Sequence, residues 1–398
     1  MTSICSGVIW RSSDYGDWLH FQLPISIDQW RFKMFGIYSR LRRVFHKPRP
    51  YRSIAIECTD RCNLLCVTCP RLSYDYKPRD LTMEAFTKLV PALKNYDNVD
   101  LTGWGEPMLH KQVYDMIRIS HEQGCTAGFI TNATLLDDKR GRKLLEAEIN
   151  WMFVSIDGAD PGTFASIRVG GDLGKVINNV RHFVKLREEY RTPTYNGPFL
   201  STTFTMSRAN FEEVPEFVAL ASDVGFDQIH IKNQDVVSKM DDIEQILFPF
   251  SDDQPAIPYG KLESKFAQAR LIAQEQGAQL LLPTFEYGTT NICNPMQQGG
   301  TYVAATGDVS PCVNLGHPTP RMMPDGSTIE NSGLSFGNIN EDSYETIWNA
   351  PEWEKFRDEF NNAIVPKACE GCQLLRKSEF HLTEGTGTKT ADLTSVPA

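Results

Sequence analysis

From residue 51 onward, six short apolar runs alternate with amphipathic ones, and that alternation limits the fold more than any other feature of the chain. The apolar runs are Ser53–Glu57, Val99–Thr102, Ala127–Thr131, Trp151–Ile156, Leu200–Met206 and Gln228–Lys232. Between them, Thr82–Leu93, Lys111–Gln123, Asp137–Ala147, Gly174–Tyr190 and Phe211–Val224 carry apolar residues at helical spacing, as in Val214, Phe217, Val218 and Ala221. Strands that alternate with helices of this length pair in parallel through right-handed crossovers. The predicted class is therefore α/β, an open, partial (β/α)6 barrel, in which chemistry sits at the carboxyl ends of the strands.

The first run leads directly into Cys62-Asn63-Leu64-Leu65-Cys66-Val67-Thr68-Cys69. Three thiolates at C-x3-C-x2-C on one loop can hold three irons of a four-iron cluster and leave the fourth iron open to a ligand. A structural zinc site is the alternative, although zinc sites usually pair two cysteines closely and complete four ligands elsewhere. Four further cysteines, Cys293, Cys312, Cys369 and Cys372, form a second set. Cys58 and Cys125 lie at strand ends and read as small apolar core residues, while Cys5 is uninformative.

The chain of 398 residues suggests about two domains. Its net charge of −10 argues against a nucleic-acid partner, which would require a basic face. No apolar run is long enough for a transmembrane segment. The N-terminus Met1-Thr2-Ser3-Ile4-Cys5 lacks a secretory signal, so the expected location is cytoplasmic. In that reducing compartment cysteines serve as metal ligands rather than disulfides. Residues 1–50 read as an N-terminal extension with a basic helix over 29–47, and 51–235 as the barrel. Residues 236–292 form a bridging segment with a helix over Tyr259–Gln276, 293–382 the second cysteine unit and 383–398 a disordered tail.

The cysteine loop, with its asparagine and preceding strand, resembles the signature of the radical S-adenosylmethionine (radical SAM) enzymes. The resemblance extends over about 51–235. The turn Thr102-Gly103-Trp104-Gly105-Glu106-Pro107 after the second strand is similar to the family's Gly-Gly-Glu motif. By that likeness Gly105 admits close backbone approach and Glu106, or a backbone carbonyl, accepts from the SAM ammonium. Asn132 follows the third strand and resembles the family's Thr-Asn-Gly turn. Ser155 and Asp157, which alternate to one side of the fourth strand, are placed to contact the ribose, and a helix-capping role is open for Asp157. Arg168 matches an arginine that forks the SAM carboxylate, with a surface ion pair as its alternative. The chemistry implied is reductive cleavage of SAM to a 5′-deoxyadenosyl radical, followed by hydrogen abstraction from a substrate C–H bond.

The second set resembles the SPASM/Twitch extension of the same enzymes. A hairpin, Thr301–Ala305 and Asp308–Pro311, turns at Thr306-Gly307. Gly337-Asn338-Ile339 and the helix around Ile347-Trp348 follow, and then Cys369-Glu370-Gly371-Cys372. No cysteine follows Cys372, so the four thiolates suffice for one auxiliary 4Fe-4S cluster and the shorter Twitch form fits. A zinc ion held by the same four is the alternative. Val313 stands where sulfatase-maturing relatives carry Asp, which counts against that activity.

The resemblance implies an oxidoreductase acting on a small hydroxylated or amino-bearing intermediate, with the auxiliary cluster as electron acceptor. A peptide-modifying enzyme, for epimerisation or cross-link formation, is the second reading, and a non-catalytic zinc protein the third. The catalytic base is not legible. Asp235, Glu286, Tyr287, His230, Lys232 and Asp308 are candidates at strand or loop ends, and Tyr74, Tyr76 and Phe285 candidates for the substrate opening. Arg61, Arg71, Lys77 and Arg79 surround the cysteine loop as a basic patch for a flavodoxin or ferredoxin-type electron donor.

Overall fold

The computed structural model describes residues 51–390 apart from 76, 235–244, 248–256, 290–292, 298, 323–326, 373–374 and 385–386. The expected N-terminal extension, its basic helix, Tyr76 and Asp235 therefore lie outside the described residues, as do residues 391–398 of the tail.

Six parallel strands appear where the alternation places them. They are β1 (Tyr51–Ile56), β3 (Tyr96–Asp100), β4 (Thr126–Thr131), β5 (Trp151–Ser155), β7 (Phe199–Met206) and β8 (Gln228–Asn233). The short β2 (Leu65–Cys66) and β6 (Arg168–Val169) form a separate antiparallel pair, outside this sheet. Helices begin where side chains can accept from the first free amides: Thr82, Asp137, Asp160 and Asp172 each cap a helix N-terminus. Gly225, at φ 95°, ends the helix Val214–Val224 in the left-handed conformation.

Two features extend the sheet beyond the expected six strands. The stretch read as a bridge contains the expected helix Tyr259–Gln276 and then β9 (Leu280–Thr289), which pairs in parallel with β8. On the other side, β10 (Tyr302–Val303) pairs in parallel with β1, and β11 (Val309–Ser310) folds back on β10 through the turn at Gly307, φ 91°. A ribbon of β12 (Arg321–Met322) and β13 (Thr328–Ile329) follows, then β14 (Arg376–Glu384) against β9 and β15 (Gly387–Thr390) against β14. The single eleven-stranded sheet runs from β11 to β15 as an open order and not as a closed barrel.

Strand faces divide the molecule. On β5, Met152 and Val154 are buried under the helices, while Trp151, Phe153 and Ser155 are half-buried on the other, inner face. The inner face is polar at its base. Asn98 donates to Ser53 Oγ at 3.0 Å and accepts from Thr126 Oγ1 and Trp151 Nε1 at 2.9 and 2.8 Å. This explains why β3 starts at Tyr96, ahead of the apolar run: Asn98 serves the inner face and carries no apolar signal.

Helix Leu173–Glu189 buries Leu173, Val176, Ile177, Val180, Phe183 and Leu186 at helical spacing. Its Arg187 is buried too, and a charge there requires partners. Nη1 and Nη2 meet the two Asp227 oxygens at 2.5 and 3.2 Å, and Nη1 also donates to the Pro198 carbonyl.

Burial pushes the Asp100 carboxyl up to about 6. Its proton is held more tightly in the folded chain than in the unfolded one. That contribution to stability is complete below the ordinary carboxylate range and is lost as pH rises through about 6. Asp100→Asn, which cannot ionise, should gain thermal midpoint over the wild type between about pH 5 and about pH 8. Paired melting curves at the two pH values check this, and a constant gap would refute it.

Candidate active site

The cysteine loop leaves β1 and is fastened at both ends. Thr59 and Asp80 form a bridge, and Arg61 forks Asp80 with contacts of 2.8 and 2.6 Å. Leu65 and Cys66 pair with Val169 and Arg168. Inside the loop, the Cys69 amide donates to the Cys66 carbonyl at 3.1 Å, and Arg71 Nη2 to the Leu64 carbonyl at 2.8 Å. Cys62, Cys66 and Cys69 are half-buried.

Polar donors point at two of the three sulfurs. Asn132 Nδ2 is 3.8 Å from Cys62 Sγ and 3.1 Å from Asn63 Oδ1, while Arg168 Nη1 is 3.9 Å from Cys66 Sγ. Burial raises the Cys62 thiol and pushes that of Cys66 up to about 11, against the lowering effect of Arg168. An amide and a guanidinium aimed at sulfur suit a cluster's thiolates. The donor set therefore fits a 4Fe-4S cluster with one open iron.

The six SAM-contact candidates lie around this loop, but several have partners within the chain. A Cβ at Gly105 would overlap the Thr59 and Arg61 carbonyl oxygens, so glycine here serves close packing on the segment that leads into the cysteines. Glu106 is 1% exposed. Its oxygens accept from Thr131 Oγ1 and the Asn132 amide, both at 2.8 Å, and from the Met108 amide at 3.2 Å. Burial raises its carboxyl while these bonds lower it. The expected acceptor thus holds the Asn132 turn in place, and Asn132 in turn touches the loop.

Asp157 is buried and paired with Arg168, Oδ2 to Nη2 at 2.7 Å, and its Oδ1 accepts from the Thr205 amide at 2.8 Å. The helix cap proposed for it belongs to Asp160 instead. One edge of the Arg168 fork is therefore already occupied by a carboxylate. Ser155 is half-buried at the end of β5, opposite Thr203 of β7 on the inner face.

The four C-terminal cysteines line one cavity, shared with Leu315, Arg321, Phe360 and Leu375. Burial raises the Cys293 and Cys369 thiols and pushes that of Cys312 up to about 12. Four thiols around a cavity fit a cluster.

Other expectations fare unevenly. Cys58 and Cys125 are core residues whose thiols donate to backbone carbonyls. The basic patch is smaller than expected: Arg71 is buried on the loop and Arg61 is tied to Asp80, leaving Lys77 and Arg79 exposed. Asp308 serves its own turn, bonded to Thr306 and Asn338. His230 sits beside Lys232 on β8, and burial with that neighbouring cation holds its imidazole down at about 4. The side chains of Phe285, Glu286 and Tyr287 lie outside the described residues, although β9 carries their backbone. Sequence reasoning missed Glu57 and His317, which meet at 3.3 Å; Glu57, a carboxylate ending an apolar run, was the available signal.

The family model of the radical SAM superfamily matches residues 56–221, and that of an iron–sulfur cluster-binding domain, SPASM, matches 293–373. The tungsten-containing aldehyde ferredoxin oxidoreductase cofactor-modifying protein of Pyrococcus furiosus is 26% identical, covering 82% of this chain and 88% of its own. The AdoMet-dependent heme synthase of Methanosarcina barkeri is 27% identical over 81% and 91%. Streptococcus suis SuiB, solved with its precursor peptide SuiA, shares the fold with a TM-score of 0.53 at 14% identity, covering 90% and 78%. No helix among the described residues is long and apolar enough to cross a membrane. The chain belongs to the radical SAM enzymes, with S-adenosylmethionine and a 4Fe-4S cluster as cofactors and a C-terminal SPASM/Twitch-type domain for auxiliary iron–sulfur chemistry.

Proposed function

We propose that this enzyme is an oxidoreductase that removes hydrogen from a C–H bond of a small biosynthetic intermediate. When bound, the cofactors supply a 5′-deoxyadenosyl radical and a sink for one electron. Cys62, Cys66 and Cys69 hold the first cluster, and Gly105, Glu106, Asn132, Ser155, Asp157 and Arg168 surround the SAM site. Cys293, Cys312, Cys369 and Cys372 hold the second cluster. One observation carries the reading: the four thiols of Cys293, Cys312, Cys369 and Cys372 line one C-terminal cavity, enough to ligate every iron of one auxiliary cluster. A filled cluster suits electron transfer better than substrate binding.

Two relatives matched over most of their length support a small substrate, since their names concern cofactor and heme chemistry. An acidic flavodoxin or ferredoxin-type donor supplies the first electron, with Lys77 and Arg79 exposed beside the cysteine loop. The seven cluster thiols suit a reducing cytoplasm.

The test is label transfer. Reconstituted enzyme, SAM and dithionite are given a perdeuterated cell extract split into small-molecule and peptide fractions. Deuterium should enter 5′-deoxyadenosine from the small-molecule fraction. Transfer from the peptide fraction alone would replace this reading with peptide modification.

A further inference from the structure

The C-terminal domain touches the barrel at His317, one residue past the helix Val313–Gly316, which itself begins at Cys312. The ring is 6% exposed, and every polar position on it is engaged. Nδ1 lies 2.9 Å from the Tyr74 hydroxyl. Nε2 lies 2.8 Å from the Tyr302 hydroxyl and 3.3 Å from Glu57 Oε1. One face stacks on Trp104, with centroids 4.2 Å apart and planes at 22°.

These partners come from separate barrel segments that build one place. Glu57 directly follows β1, Tyr74 follows the cysteine loop, and Trp104 stands inside the turn Thr102–Pro107. Glu57 is fully buried, and it ties the segments together. Its Oε1 accepts from the Trp104 amide at 2.8 Å and its Oε2 from the Ala305 amide at 3.2 Å, the latter in the β10–β11 hairpin. Gly103 makes room for this, because a Cβ there would overlap the Glu57 side chain. The turn is thus held from behind by a buried carboxylate and covered by an imidazole from the other domain.

Buried polar groups joined this way are rigid, since removing one leaves its partners unsatisfied. Ligand sites need such support to hold their backbone in place. We propose that Glu57 and His317 are positioning residues for S-adenosylmethionine, so that the auxiliary domain completes the SAM site by clamping the Thr102–Pro107 turn through Trp104. This rests on that turn being part of the SAM site. It ties the turn to Cys312 by a short, continuous path, so that order in the C-terminal thiol cavity and order in the SAM turn support each other.

The test uses the full, reconstituted chain, with SAM itself as probe and dithionite as reductant. KM for SAM and kcat for 5′-deoxyadenosine formation are measured for His317→Gln, Glu57→Gln, Trp104→Leu and Trp104→Phe, with iron per chain read in parallel. His317→Gln and Glu57→Gln should raise KM about tenfold, with kcat held within about twofold. Trp104→Leu should do the same, whereas Trp104→Phe, which keeps an aromatic face for His317, should stay near the wild type. Trp104 is only partly buried, so its variants remain informative if His317→Gln fails to fold. An unchanged KM in His317→Gln and Trp104→Leu at wild-type iron content would overturn the proposal. So would a rise in KM that appears only together with lost iron, since that marks a merely structural role. Absence of 5′-deoxyadenosine from the wild type would instead reject the SAM reading itself.

Discussion

Cys66→Ala should reduce 5′-deoxyadenosine formation by about a thousandfold or more, roughly 4 kcal/mol on the barrier. Cys66 sits centrally in the loop, paired in β2 with Arg168 and carrying the sulfur nearest that guanidinium. Without it, two thiolates remain to hold a cluster that needs three. Cys312→Ala supplies the control. Both variants should lose iron, from about eight per chain towards about four. Only Cys66→Ala should lose cleavage, because at saturating SAM the C-terminal cluster is not where the sulfonium is reduced. Iron analysis and product quantification on the same samples check both points. Full cleavage by Cys66→Ala would remove the first cluster from this loop.

Arg168→Ala is expected to have the largest effect on stability. The Arg168 and Asp157 side chains are 13% and 3% exposed and their charged atoms are 2.7 Å apart. Deleting the guanidinium leaves a carboxylate buried with only the Thr205 amide to satisfy it. Breaking a buried pair from one side costs about 3–5 kcal/mol. The loss should appear as a lower denaturation midpoint in anaerobic urea titrations of the holoenzyme. Asp157→Asn should cost less, because the amide oxygen can still accept from Thr205 and the loop sulfurs remain as partners for Arg168. If Arg168→Ala denatures with the wild type, the pair is not what fastens β6 and the cysteine loop to the end of β5.

The alternation of strands and helices was readable because it is local. Each helix carries its own cap and its own apolar stripe, and each strand its own apolar run, so no distant partner is needed to recognise them. The exceptions differ in cause. The early start of β3 is polar because Asn98 faces the concavity, and β9 was absorbed into a bridge because it lies beyond the helix Tyr259–Gln276 that follows the acidic stretch. The first cysteine set was readable for the same local reason, since spacing along one loop decides which thiols can share a cluster, whereas the second, spread from Cys293 to Cys372, was legible only through its resemblance to a known extension.

The roles of individual polar residues around the loop were less legible. Glu106 and Arg168 were expected to meet a ligand, yet each has its charged group committed within the chain, to Thr131 and Asn132 or to Asp157. A motif says that a carboxylate or guanidinium is present at a strand end, not which neighbour reaches it first. Arg71 shows the same limit: it reads as a surface charge beside the loop but folds beneath it to hold the Leu64 carbonyl.

By itself the sequence determined the α/β class, the strand that feeds the cysteine loop, and the first set of thiols, because periodicity and spacing act over a few residues. Only the tertiary structure decided that the C-terminal domain adds β10 to β1 and sets His317 against Trp104, Tyr74 and Glu57. Tyr74 and His317 are 243 residues apart, and no local pattern encodes their meeting. Their contact exists because the open edge of β1 must pair its backbone, and the hairpin that satisfies it brings the imidazole along.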